Sequence, residues 1–125
     1  MNFFEELEKD RFRRFLGAEI LEVSRGYAKV KGVVKGDYLN FHGTAHGSYI
    51  TALADFAFAI AGNSDGIKRS AVSIKIDFYR AVYEDDELIA EAKIVHGRKI
   101  AFFELKVMRG DDIVAKGEAI AYGRG

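Results

Sequence analysis

Apolar and polar positions follow one another along this chain in two rhythms. Between Gly47 and Gly62, Ile50, Leu53, Ala54, Ala57, Phe58 and Ala61 recur at helical spacing, which predicts an α-helix. Tyr49, Ala52, Phe56, Ala59 and Ile60 fill its remaining sides, and a helix that is apolar all round is expected to be buried. Beyond it the period changes to two. Val72, Ile74, Ile76 and Phe78 form one face of a predicted strand, and Leu88, Ala90, Ala92 and Ile94 one face of the next. Ala101, Phe103, Leu105 and Val107 mark a third, and Ile113, Ala115, Gly117, Ala119 and Ala121 a fourth. Polar turns at Glu84–Glu87, His96–Lys99 and Gly110–Asp112 separate them. Turns this short imply antiparallel hairpins.

Upstream, the pattern predicts one helix from Asn2 to Gly17. Asn2 caps it with Glu5 as capping-box partner, Leu7, Phe12, Phe15 and Leu16 form an apolar side, and Gly17 stops it. Ala18 to Val34 reads as a strand or hairpin-like pair broken near Ser24–Gly26, and Gly36 to His46 as loop. One buried helix with an antiparallel sheet is an α+β arrangement, most simply a sheet curled around the central helix. The 125 residues suit a single domain over 1–125.

Composition narrows the classes. With no cysteine, disulfides and thiolate metal sites are excluded. Nineteen basic residues balance nineteen acidic ones, whereas a nucleic-acid binder shows a basic excess. The charged stretch before Leu16 does not read as a signal peptide, and no run of apolar residues is long enough to span a membrane. A soluble cytoplasmic protein is the expectation.

Asp55 is the only ionisable residue between Gly47 and Gly62. Its helical neighbours Thr51, Ala52, Phe58 and Ala59 offer no ion pair. A carboxylate in apolar surroundings is costly and answers with a raised pKa, which suits a nucleophile or general base. The plainer alternative is a solvent-facing stripe of Thr51, Asp55 and Asn63. The loop before the helix, Asn40 to Gly47, carries two histidines, two glycines and an amide. It leads into a helix N-terminus, whose free N–H groups and dipole can stabilise an oxyanion. His42 and His46 with Asp55 could form a two-His, one-carboxylate metal set. His42 and His46 lie in a glycine-broken loop, however, and we assign no metal.

The run Asn40–x–x–Gly43–Thr44–x–His46–Gly47, then Leu53–Ala54–Asp55, Phe58–Ala59 and Asn63–Ser64, resembles the phenylacetic-acid-degradation (PaaI-like) type of hotdog thioesterase, in the wider group of small 4-hydroxybenzoyl-CoA thioesterases. The resemblance covers nearly the whole chain. It implies the hotdog fold, an acyl-CoA substrate with an aromatic or medium-chain acyl group, no cofactor, and a homodimer, expected to pair into a homotetramer. Carried over, Asp55 is the nucleophile or general base. The Gly47 N–H is the oxyanion donor, Asn40 orients the attacking water or carboxylate, and His46 supports it. Ser73 matches a position where some members hold a water-binding Ser or Thr. Competing readings are a non-catalytic acyl-CoA-binding module and a hydroxyacyl dehydratase of the same fold.

One geometric expectation stands apart from the resemblance. Eight residues of helix set Gly47 and Asp55 roughly 12 Å apart at about 1.5 Å per residue. If both act on one carbonyl, they must come from different subunits. The coenzyme A that the resemblance implies carries phosphates, so a neutral chain needs local cations. The turn His96–Gly97–Arg98–Lys99 is the first candidate, by its glycine and its charges and by the place of this hairpin near the pyrophosphate in the family it resembles, with Lys68, Arg69 and Arg80 second. For the pocket floor, Tyr49, Phe56 and Phe78 are candidates.

Overall fold

The computed structural model describes residues 2–124. Two short helices open the chain, α1 (Phe3–Leu7) and α2 (Arg11–Leu16). They are followed by strands β1 (Glu19–Ser24) and β2 (Tyr27–Val33), a 3₁₀ turn (Gly36–Tyr38), and the long helix α3 (Gly47–Asn63). Strands β3 (Arg69–Phe78), β4 (Glu87–Gly97), β5 (Ile100–Arg109) and β6 (Asp112–Gly123) complete it. All pairings are antiparallel, in one sheet ordered β1-β2-β4-β5-β6-β3. The helix α3 packs across β2, β3, β4 and β5. This is the hotdog arrangement. Among the described residues no helix is long and apolar enough to cross a membrane.

The core follows the two rhythms. From α3, Leu53, Ala54, Ala57, Ile60 and Ala61 are fully buried. They meet Leu88, Ala90 and Ala92 of β4 and Ala101, Phe103, Leu105 and Val107 of β5. Phe58 meets Phe103 edge-on, ring centres 5.1 Å apart. In β6, Ala115, Ala119 and Ala121 are buried as the alternation requires. Val114 is buried beside Ala115 because the register with β5 shifts there by one residue.

Four expectations are corrected. The N-terminal helix is two helices, because Asp10 starts a second one by accepting the Arg13 N–H at 3.1 Å. Gly17 then closes it in the left-handed region (φ 64°). Of the expected apolar side only Leu16 is buried, while Phe12 and Phe15 lie exposed and stacked on each other. The Glu84–Glu87 turn joins no hairpin: β3 is an edge strand paired only with β6, and β4 lies between β2 and β5. The apolar face of β3 is therefore largely open, with Val72 65% and Phe78 51% exposed. Last, α3 is not buried all round. Ser48, Asp55 and Ala59 lie on an exposed stripe with half-buried Thr51 and Ala52 beside them.

Candidate active site

The loop into α3 is held at several points. Leu39 bridges Ala45, the His46 N–H donates to the Tyr38 carbonyl at 2.7 Å, and the Ala45 N–H donates to the Val82 carbonyl at 2.7 Å. Asn40 organises the turn between: its Oδ1 accepts from the backbone N–H groups of His42 (2.9 Å) and Thr44 (3.2 Å), and its Nδ2 donates to Thr44 Oγ1 (3.1 Å). One amide N–H of Asn40 stays available, and the side chain belongs to the loop. His46 caps α3, its Nδ1 accepting the Ser48 N–H at 3.1 Å. The ring proton then sits on Nε2. With Ser48 served by that cap, the Gly47 N–H finds no partner among the described residues. It is a bare donor at the positive end of a helix dipole. A side chain at Gly47 would press on the Phe78 ring, 3.2 Å from an added Cβ.

Asp55 lies two turns further along the same stripe. Both positions open on one groove of about 610 Å³, lined by His46, Gly47, Ser48, Thr51, Ala52, Asp55, Ile74 and Phe78. The Asp55 carboxyl is raised above the ordinary carboxylate pKa, first by desolvation and second by the negative charge of Asp10. The side chain as a whole is exposed, yet helix and β3 screen it from part of the solvent, so the shift survives. The groove holds two chemical parts: a carboxylate of raised pKa and an unpaired N–H donor. Of the expected floor residues, Phe78 walls this groove, whereas Tyr49 stacks on Tyr38 at 4.3 Å and Phe56 is buried in the core.

Other predicted residues separate into three places. Ser73 is not beside Asp55. It pairs with Ile120 and lines a groove of about 620 Å³ on the outer face of the sheet with Lys75, Asp77 and Glu118. Ile74 and Phe78 line the Asp55 groove, and alternation along β3 turns Ser73 to the opposite face. Arg80 sits near the α3 N-terminus, in a groove shared with Gly47 and Phe78. Lys68, Arg69, Gly97, Arg98 and Lys99 meet at the far end of the sheet, where Gly123 donates to the Lys99 carbonyl and Arg124 to the Lys68 carbonyl. Arg98, Lys99 and Lys68 are exposed. Arg69 is not free for a ligand: its side chain is 1% exposed and bound to Asp65. Burial works to raise the Asp65 carboxyl pKa, but the Arg69 hydrogen bonds and charge, with the Ile67 N–H, lower it overall. Among the described residues no group of three His, Cys, Asp or Glu is placed to hold a metal, and His42 packs on Phe41 at the loop tip.

The sequence pattern does not mark Asp10 or Asp65 as part of either cluster. Asp10 had a local signal, an acidic residue three before Arg13, but its reach toward Asp55 depends on how α2 meets α3.

A central helix wrapped by a six-stranded antiparallel sheet is the hotdog fold. Residues 42–116 match the family described as the thioesterase superfamily, and the chain belongs to it as a PaaI-like member. It is 34% identical over 102 residues to the acyl-coenzyme A thioesterase PaaI of Escherichia coli, covering 81% of this chain and 73% of that protein. The E. coli PaaI structure superposes with a TM-score of 0.94 at 31% identity, over 99% of this chain and 91% of that one. A putative esterase of Archaeoglobus fulgidus is 44% identical over 101 residues, 80% of this chain. The chain spans 66% of that relative's length, just under two thirds. A hypothetical thioesterase of Streptococcus pneumoniae TIGR4, solved with coenzyme A, matches with a TM-score of 0.82 at 25% identity, over 86% of this chain and 89% of that one. The names of the family and of the E. coli relative point to thioester hydrolysis.

Proposed function

We propose that this protein hydrolyses acyl-CoA thioesters to a free acid and coenzyme A, with an aromatic or medium-chain acyl group. The observation that carries the reading is the shared groove of Asp55 and the unpaired Gly47 N–H on one face of α3. The Gly47 N–H receives the carbonyl oxygen as negative charge develops on it. Asp55 either takes a proton from water attacking the carbonyl carbon or attacks it directly, giving a mixed anhydride that water then opens. In both routes the C–S bond breaks and the coenzyme A thiolate leaves. The roughly 12 Å between Gly47 and Asp55 along one helix means that each site takes its donor from one subunit and its carboxylate from another.

A homodimer is therefore the minimum unit, and pairing of dimers into a tetramer is the further expectation. The open edge of β3, with exposed Val72, Ile74 and Phe78, supports the dimer: an unpaired apolar edge invites another copy. In such a dimer Asn40 and His46 belong to the Gly47 half-site. Ser73 has the weaker support, since it faces away from Asp55 within its own chain. The nucleotide falls to Gly97, Arg98, Lys99 and Lys68, with Arg80 as an outlying cation.

The test is free-thiol release from phenylacetyl-, benzoyl- and hexanoyl-CoA. Asp55→Asn keeps the shape and removes the base, so kcat is expected to fall roughly 10²- to 10⁴-fold. Retention of more than a tenth of the wild-type kcat would sink the assignment.

A further inference from the structure

Arg69 is the only charged residue buried among the described ones. Its guanidinium is fully engaged in three directions. Nε donates to the Arg98 carbonyl at 2.8 Å, one terminal nitrogen donates to the Gly62 carbonyl and to Asp65 Oδ1, both at 2.9 Å, and the other donates to Asp65 Oδ2 at 2.9 Å. The Asp65 side chain is itself 15% exposed. A buried ion pair is weak evidence for stability, because apolar residues of similar volume often serve as well. What apolar residues cannot do is accept the geometry: a planar fork reaches the C-terminus of α3, the turn after it and the β4–β5 turn at once. Gly97, with φ 96° and no room for a Cβ against the Ile100 carbonyl, makes that turn tight. Its second carbonyl, Lys99, accepts from Gly123 at 2.6 Å. Both carbonyls of the turn are thus tied to the body of the fold while the Arg98 and Lys99 side chains stay outside.

We propose that the Asp65–Arg69 pair is a positioning device for the nucleotide of coenzyme A, holding the Arg98 backbone so that Arg98, Lys99 and Lys68 present a pre-arranged set of cations to its phosphates. This rests on the reading of the Gly97–Lys99 turn as the nucleotide site. Arg69 touches no substrate; it acts through the turn. Loosening the turn leaves the cations in place but makes binding immobilise them, which weakens binding without touching the acyl-transfer chemistry.

The experiment compares phenylacetyl-CoA with the pantetheine thioester of the same acid, which lacks the nucleotide. Arg69→Lys keeps the charge and loses the fork. It is expected to raise KM for phenylacetyl-CoA roughly fivefold, the effect of ordering about one long side chain on binding. Its kcat, and both constants for the pantetheine ester, should stay unchanged. Asp65→Asn should act in the same direction and carries the test if Arg69→Lys does not fold. Arg98→Ala with Lys99→Ala gives the reference effect, and adding Arg69→Lys to it should raise KM no further. If the double variant leaves KM for phenylacetyl-CoA unchanged, the turn does not hold the nucleotide and the reading beneath the proposal fails. If the double variant raises KM but Arg69→Lys and Asp65→Asn do not, the turn stands and the positioning role is wrong. Equal losses on both esters, or additive effects in the triple variant, overturn it as well.

Discussion

Asp55 sits where apolar surroundings and the Asp10 charge disfavour its ionised form. Its folded-state pKa therefore exceeds the unfolded one. The folded state binds the proton more tightly, so this group's contribution to stability is full below the unfolded pKa and is lost as pH rises through the folded pKa. At neutral pH the charged Asp55 weakens the fold. Asp55→Asn should then unfold at a higher temperature than the wild type at pH 7. The gap should shrink toward pH 3, where the wild-type carboxyl is neutral too. A lower Tm for the variant at pH 7 would show that the ionised carboxylate stabilises the fold.

The short helix α2 has two effects that one substitution separates. Asp10 caps it through the Arg13 N–H, and Asp10 also lines a groove with Phe56, Ala59 and Asn63 of α3, within electrostatic reach of Asp55. Asparagine caps about as well as aspartate, so Asp10→Asn removes the charge and keeps the helix. The second cause of the Asp55 shift is then gone, and its pKa falls. The acid limb of kcat/KM, which reports the base of the free enzyme, should move to lower pH while Tm changes little. Asp10→Ala should cost about 1 kcal/mol in addition, the usual worth of a cap. An acid limb that does not move in Asp10→Asn would mean that α2 plays no part in tuning the base.

For the assembled protein, the proposed division of each site between subunits makes a sharp demand. Asn40 shapes the loop that delivers the Gly47 N–H, so Asn40→Ala damages one half-site and Asp55→Ala the other. Each variant should be nearly inactive alone. Unfolded together and refolded, they should give about half mixed dimers, in which one site carries both lesions and the other neither, by the two-fold exchange of an isologous interface. Thiol release should return at about a quarter of all sites. If subunits are shown to mix and activity does not return, the carboxylate or the oxyanion donor has been misplaced.

Much of this architecture is written in short-range pattern. The α3 helix, the alternation of β4 and β5, the Asn2 and His46 caps and the Gly17 stop depend on neighbours two to four residues apart. Side-chain direction repeats at those intervals in strands and helices. The candidate pair Asp55 and Gly47 was legible for the same reason, since one helix carries both and its rise sets their separation. Strand order was not legible. A polar turn at Glu84–Glu87 looks the same whether the chain reverses into a hairpin or crosses to the other side of the sheet, and only the fit of the faces around α3 sent β3 to the edge. That choice left Val72, Ile74 and Phe78 open. Ser73 lies on the outer face by the same period-two alternation, opposite Ile74 and Phe78. Arg69 read as one of several free cations. Its commitment to Asp65, Gly62 and Arg98 required the helix end and a turn about thirty residues away to meet around it, and only tertiary packing brings such distant acceptors within reach of one guanidinium.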